Sequence, residues 1–307
     1  VRVLVTGGAG FIGSHIADAH AARGDEVVVV DSLVGGRREF VPRAARFYQL
    51  DIRDPAVRDV LIEERPQVVN HHAAQVSVSA SVKDPVFDAD VNVLGTLRLL
   101  QHCAAAGVQQ FIFASTGGAL YGEPETLPAD ESTPIRPLSP YGTGKSAAEA
   151  YVGLFQRAHG LRACCLRYAN VYGPRQDPYG EAGVVAIFSR ALLDGQPATI
   201  FGDGEQTRDF VHVDDVVRAN LVATDQRIEG AFNIGTGRAT TVNAVYRVLA
   251  RAAATTRPPR YAPPRPGDVR HITLAIARAR ARLGWEPRID IAAGLAATLD
   301  WFRHRPS

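Results

Sequence analysis

Tyr141 and Lys145 stand four residues apart in the run Tyr141-Gly142-Thr143-Gly144-Lys145. On a helix that spacing puts a phenol and an ammonium on one face. Ser139 is a good N-cap and Pro140 a good first helical residue, so a helix should begin there. A free tyrosine ionises near pH ~10, too high for a base at neutral pH. A lysine ammonium beside it stabilises the phenolate and lowers that value. Gly142 and Gly144 each cost a helix interior about 1 kcal/mol relative to alanine. They are explained if something approaches the helix backbone closely. The plainer alternative is a surface tyrosine on an ordinary helix.

The chain opens with Thr6-Gly7-Gly8-Ala9-Gly10-Phe11-Ile12-Gly13, between an apolar run, Val3 to Val5, and a helical pattern. Glycines between a strand and a helix allow a tight turn and a close approach of backbone to a pyrophosphate, with the helix N-terminus facing it. The spacing Gly7-x-x-Gly10-x-x-Gly13 is three-and-three rather than the commoner two-and-three. Asp31 follows near the end of the next strand, where a carboxylate accepts hydrogen bonds from an adenosine ribose. It also repels a 2′-phosphate, which favours NAD over NADP, although Arg37 and Arg38 are near enough to argue the other way. Asp51 has two readings, an acceptor for the adenine amino group or a helix cap ahead of Pro55. A bound nicotinamide cation would be a second positive charge lowering the Tyr141 pKa. Ser115 and Thr116, directly after the apolar run Phe111 to Ala114, could share a substrate proton with the tyrosine or merely cap a turn.

The first half alternates apolar runs (Val3 to Val5, Val27 to Val30, Phe47 to Leu50, Val68 to Asn70, Phe111 to Ala114) with helical patterns near 12–23, 55–64 and 86–106. A helix from Tyr141 and a strand through Cys164 to Leu166 follow. This predicts an α/β fold with a Rossmann-type doubly wound parallel sheet. Beyond about residue 170 Gly, Pro and Arg cluster, and helical periodicity returns near 183–194, 242–253 and 291–303. We expect a cofactor domain over 1–170, rejoined by about 208–240, and a smaller α/β substrate lobe mainly over 171–307.

The 307 residues carry a net charge of +2, and no basic run is interleaved with aromatics, so nucleic-acid binding has no support. Cys103, Cys164 and Cys165 lack metal-ligand spacing, and no metal is expected. They read as buried thiols of a reducing compartment. With no leader and no apolar run long enough to span a bilayer, the expectation is a cytoplasmic enzyme without a membrane partner.

The chain resembles the extended short-chain dehydrogenase/reductase family, in particular its nucleotide-sugar epimerases. The series that carries the resemblance runs through Thr6 to Gly13, Asp31, Asp51-Ile52, His71-His72-Ala73-Ala74, Asn92, Ser115-Thr116, Tyr141 with Lys145, and Leu166 to Pro174. It continues through Phe201 to Gly204, Thr207 to Asp215, Asn233 to Gly237 and Arg265-Pro266-Gly267-Asp268. The resemblance implies 4-epimerisation of a UDP-hexose, UDP-glucose and UDP-galactose first, with tightly bound NAD. UDP-glucuronate, a UDP-N-acetylhexosamine or a dTDP-sugar are alternative substrates, and a non-catalytic nucleotide sensor is the alternative class.

It also implies roles. Tyr141 would take the sugar 4-hydroxyl proton, Lys145 would bind the nicotinamide ribose, and Thr116, with Ser115, would hydrogen-bond O4. Gly7, Gly10, Phe11, Ile12, Gly13, Asp31, Ser32, Asp51, Ile52, His72, Ala73, Ala74, Asn92 and Tyr168 would border the cofactor. Ser77, Asn170, Val185, Phe201, Arg208, Arg265 and Asp268 would border the substrate. Phe188 and the stretch from His271 to Thr273 are further candidates for the hexose. A homodimer is implied through helices near 86–106 and 141–160, with Val91, Leu94, Leu97 and Leu100 on one apolar face and Ala147, Tyr151, Leu154 and Phe155 on the other.

Two positions depart from the family pattern. Relatives carry the catalytic hydroxyl four residues before a Tyr-Gly pair; here that residue is Gly117, and Thr116 is one earlier. A bulge at Gly117-Gly118 would bring Thr116 into place. The same glycines stand where a 4,6-dehydratase carries Asp-Glu and a decarboxylase a glutamate. Gly144 replaces a usual serine or threonine.

Overall fold

The structure is a computed structural model that describes residues 1–179, 183–264 and 269–304. Its centre is a seven-stranded parallel sheet of β1 (Arg2–Thr6), β2 (Glu26–Asp31), β3 (Arg46–Gln49), β4 (Val68–His71), β5 (Gln110–Thr116), β6 (Arg162–Tyr168) and β11 (Gly230–Ile234). The order across the sheet is β11-β6-β5-β4-β1-β2-β3. The inner strands are mainly apolar because both faces are covered, while the edge strand β3 (Arg-Phe-Tyr-Gln) is part-exposed. Alternate residues serve opposite layers. Val3 and Val5 pack with Ile16 of α1 (Phe11–Ala22) and Val216 of α9 (Val213–Gln226). Leu4 packs with Leu61 of α2 (Ala56–Glu64), Leu99 of α5 (Thr96–Ala105) and Val152 of α7 (Pro140–His159). The order reverses between β1 and β4, and the crevice at the carboxyl ends of those strands is where such sheets take ligands.

A third core of Val185, Phe188, Phe210, Val245, Leu249, Leu295 and Leu299 joins α8 (Val184–Leu193), α10 (Val242–Ala252) and α12 (Ile291–His304). Short strands border it: β7 (Asn170–Tyr172) beside β10 (Phe210–His212), β8 (Thr199–Phe201) beside β13 (Arg260–Ala262), and β9 (Thr207–Arg208) beside β12 (Thr240–Thr241).

Two readings change. The stretch near 86–106 is not one regular helix: α4 (Pro85–Ala89) runs into a wide, π-helical stretch at Asp90–Gly95 before α5. There Thr96 donates its hydroxyl to the Asn92 carbonyl at 2.8 Å, and a Cβ on Gly95 would stand 2.8 Å from Ile52. Among the described residues four helices had no counterpart in the sequence pattern: α3 (Val78–Lys83), the one-turn α6 (Gly117–Leu120), α9 and α11 (Ala277–Leu283). In α9 the buried Asp215, Asn220 and Thr224 interrupt the apolar stripe by which a helix is recognised. Among the described residues no helix is long and apolar enough to cross a membrane.

Candidate active site

The loop after β1 is built by contact. Gly7 has φ +67°, and a Cβ there would stand 2.6 Å from the Ala73 nitrogen and 2.8 Å from the His72 carbonyl carbon. A Cβ on Gly13 would stand 2.2 Å from the Gly7 oxygen. The glycines thus bring loop, helix and the end of β4 together. Gly10 N–H donates to Gly7 O at 3.1 Å, and no side chain caps α1. A 12-residue helix therefore opens, without a cap, onto the reversal point of the sheet. These features fit the pyrophosphate of a dinucleotide. Phe11 starts the helix, and Ile12 is partly buried against the core.

Asp31 is buried at the end of β2. One oxygen accepts from Ala9 N at 2.9 Å and the other from Leu33 N at 2.8 Å. It therefore shapes the loop, with Ser32 half-buried beside it. Arg37 and Arg38 are drawn aside, their guanidinium groups over Phe40 (5.9 Å) and Phe47 (4.5 Å). Asp51 is not the cap of α2. Asp54 accepts from Ala56 N there, while Asp51 is paired with Arg53 at 2.7 Å, which also reaches Asp90 at 2.7 Å. Ile52 is buried close by.

At the end of β4, His71 lies between the hydroxyls of Thr6 (2.6 Å) and Thr96 (3.0 Å). The His72 ring nitrogen lies 3.0 Å from the Tyr168 hydroxyl, which accepts from Asn220 at 2.8 Å. Burial, with the Lys145 charge added, pushes His72 down to about 3, so both act as neutral packing groups near neutral pH. Ala73 N donates to the Thr6 hydroxyl, and Ala74 is half-buried in the same turn. Asn92 has its amide engaged: it donates to Gln75 O and to Asp88, and accepts from Gln75 N. It fastens the chain at Gln75, just after the end of β4.

The helix α7 begins as predicted, with Ser139 accepting from Gly142 N at 3.2 Å. What approaches its two glycines is the chain itself. A Cβ on Gly142 would stand 2.5 Å from the Ala119 carbonyl oxygen, and one on Gly144 3.1 Å from an Asp88 carboxylate oxygen. Tyr141 N donates to the buried Ser81 hydroxyl. Lys145 is 4% exposed, donates from Nζ to Ala114 O at 2.9 Å and lies 4.8 Å from the Phe113 ring. Burial lowers its pKa to about 8, against the opposing pull of Asp88 and Glu149. Burial and then Asp88 push the Tyr141 phenol above its ordinary range. In the chain alone the tyrosine is thus a poor base, and depressing its pKa requires cations gathered at the site.

The two hydroxyls part company. Ser115 is buried and donates to Glu149, so it does not face the crevice with Thr116. Adjacent strand residues point to opposite faces. Thr116 caps α6 (Gly117–Leu120), accepting from Ala119 N at 3.2 Å. The pair Gly117-Gly118 therefore opens a helical turn rather than a bulge. A Cβ on Gly118 would lie 3.8 Å from Thr116 Oγ1 and 3.6 Å from Asn170 Oδ1, so these two polar groups face one space.

Toward the substrate lobe, Asn170 N donates to Asp209 O, and Arg208 donates to Thr207 O at 2.9 Å. The buried Asp209 carboxylate accepts from Thr236 N (2.7 Å), the Thr236 hydroxyl (2.6 Å) and Gly237 N (3.0 Å), which fixes this corner. Asp209→Asn sets an amide donor against one of these donors. We expect a loss of about 2–3 kcal/mol in a urea unfolding curve. Phe201 ends β8, half-buried, and Ser77 caps α3 by accepting from Ala80 N. Val185 and Phe188 require correction as ligand-facing side chains, since both are fully buried in the third core and Phe188 meets Tyr246 edge-on at 5.7 Å. Of the hexose candidates, His271 lies 2.9 Å from the Thr207 hydroxyl. Arg265 and Asp268 lie outside the described residues. The sequence reading missed Ser81, Asp88 and Glu149, whose only signal was an isolated polar residue in a helical pattern.

A doubly wound sheet, an uncapped helix at its reversal point and a helix that carries a half-buried tyrosine and a buried lysine four residues apart define a Rossmann-type nucleotide-cofactor protein. The sequence model of the NAD dependent epimerase/dehydratase family matches residues 3–235, and the chain belongs to that family. It is 46% identical to the UDP-glucose 4-epimerase of Mycolicibacterium smegmatis over 311 residues, 99% of each chain. Among solved structures it is similar to the UDP-glucose 4-epimerase of Thermotoga maritima with UDP-glucose (49% identity, TM-score 0.96, 99% of each chain). It is also similar to the Thermus thermophilus UDP-glucose 4-epimerase in complex with NAD (48%, TM-score 0.95, 99% of each).

Proposed function

We propose that the protein is an NAD-dependent 4-epimerase interconverting UDP-glucose and UDP-galactose. The observation that supports this most is the space beside Gly118 shared by Thr116 Oγ1 and Asn170 Oδ1, next to α7 where Gly142 meets Ala119, in a chain 46% identical to an epimerase along nearly its whole length. Bound NAD would supply reversible hydride acceptance at C4 of the sugar. Tyr141 takes the O4 proton as C4 becomes a ketone and returns it when the hydride comes back to the other face. Thr116 holds O4, and Lys145 holds the cofactor ribose and favours the phenolate. Asn170 and Arg208, with Arg265, hold the diphosphate, whose charge suits planar guanidinium groups.

On the same reading, residues 1–170 with about 208–240 carry the cofactor and the remainder carries the nucleotide-sugar. Asp31 and the diverted Arg37 and Arg38 support NAD rather than NADP. Three buried free cysteines support a reducing cytoplasmic setting, and the interconversion belongs to galactose metabolism. A homodimer is supported by exposed apolar side chains near the 86–106 and 141–160 helices: Val86 (77%), Phe87 (45%), Leu94 (45%) and Leu154 (46%). Leu100 and Phe155 of the expected faces instead belong to the core.

The test is proton NMR on purified protein with a panel of UDP- and dTDP-sugars, after assay of bound NAD. We expect 4-epimer from UDP-glucose first; its absence from every sugar overturns the proposal. A second result is expected from Lys145→Met. Loss of the ammonium should lower kcat at pH 7 about 100-fold and move the rising limb of the pH–rate profile up by about one unit or more. An unmoved limb would mean the lysine charge does not act on the tyrosine.

A further inference from the structure

Ser115 and Tyr121 bracket the one-turn helix that Thr116 caps, and both are tied to the same ion pair. Ser115 donates to the Glu149 carboxylate. Arg167 binds that carboxylate twice, Nε to Oε1 at 3.0 Å and Nη2 to Oε2 at 2.6 Å. Its third nitrogen, Nη1, donates to the Tyr121 hydroxyl at 2.9 Å. The Glu149 and Arg167 side chains are 9% and 8% exposed, and Tyr121 is 1% exposed. Glu149 is on α7, one turn beyond Lys145, while Arg167 is on β6, next to β5. The pair therefore joins the strand end carrying Thr116 to the helix carrying Tyr141 and Lys145.

The chain of bonds goes further. Tyr121 donates to Asn233 Oδ1 at 2.8 Å. Asn233 donates from its amide to Ala129 O (3.0 Å) and Ala275 O (3.2 Å), and its backbone N–H donates to Glu131 at 2.8 Å. Ala275 adjoins Leu274, which packs on Gly117. One buried polar network thus fixes both ends of the Thr116 turn, the acid/base helix and the 129–131 and 274–275 segments. Buried charge costs desolvation and is retained where it sets one arrangement among several.

We propose that Glu149, with Arg167 and Tyr121, is a positioning device that sets the distance between the Thr116 hydroxyl and the Tyr141 phenol. Glu149 touches neither substrate nor cofactor on this reading, and the proposal rests on the catalytic roles given above. It acts on the turnover step more than on ground-state binding, since neither the diphosphate ligands nor the glycine loop belongs to the network.

The variant that decides is Tyr121→Phe, which keeps the ring and the Glu149–Arg167 pair and removes only the linking hydroxyl. We expect kcat to fall about tenfold, with KM for UDP-glucose and bound NAD per chain within about twofold of the parent. Glu149→Gln should lose more, about 100-fold, and Glu149→Asp should recover part of it. In a Thr116→Val background Tyr121→Phe should cost less than threefold, because the hydroxyl it positions is gone. Unchanged kcat in Tyr121→Phe overturns the proposal, whether or not Glu149→Gln folds. So does a tenfold cost that persists in the Thr116→Val background, which would mark a general structural role. Failure of the underlying catalytic reading is separate, and would appear as turnover surviving in Tyr141→Phe.

Discussion

Tyr141→Phe should lower turnover by at least about 1,000-fold while UDP and UDP-glucose bind within about threefold of the parent. In the proposed reaction the phenol takes and returns the sugar proton, and positioned acid–base groups contribute 10²–10⁴-fold, roughly. The ring remains in phenylalanine, so the contact of Tyr141 N with Ser81 and the cap by Ser139 are untouched. The pKa directions sharpen this expectation. Burial and Asp88 together hold the phenol protonated in the chain alone. Positive charge beside the phenol, from Lys145 and a bound nicotinamide, would work against both. Kinetics at saturating sugar, with calorimetric UDP binding, checks both halves. Lost binding would mean the tyrosine is structural.

Gly13→Ala should be among the most damaging single-methyl changes. Its Cβ would stand 2.2 Å from the Gly7 oxygen and 2.8 Å from the Gly7 carbonyl carbon, both backbone atoms with no rotamer to escape into. Relief requires the turn to move, and the turn is pinned by Gly7 N donating to Val30 O and by Ala9 N donating to Asp31. We expect bound NAD below about a tenth of the parent content and turnover down at least about 100-fold. The accompanying stability loss should be about 1–3 kcal/mol. Gly153→Ala is the contrast. That glycine lies inside α7, and the nearest atom to its Cβ is the end of the Arg157 side chain at 3.4 Å. Removing a helix-interior glycine there should stabilise by up to about 1 kcal/mol and leave NAD content unchanged. Cofactor release on heating and thermal melting distinguish the two.

Most of the sheet was legible because its inner strands are largely apolar runs, as in Val27 to Val30, whereas β11, a short strand with Asn233 turned inward, was not read as a strand. The glycine loop was legible because close approach leaves a fixed spacing. Polar groups turned inward were not. Asp88, Asn92 and Glu149 look like solvated helix residues in one dimension, and only packing shows that Gln75, Arg167 and Ser115 meet them. Ser115 and Thr116 could not be told apart by type, and the one-residue alternation of a strand separates them. Gly142 and Gly144 did report close approach, but by Ala119 and Asp88 rather than by a ligand.

In the proposed reaction the C4 hydride leaves and returns within one site. UDP-glucose carrying deuterium at C4 tests this, with the product followed by NMR and mass spectrometry. UDP-galactose should keep the deuterium at C4, with no net consumption of added NAD. Deuterium lost to solvent, or consumption of the label without a 4-epimer, would contradict it.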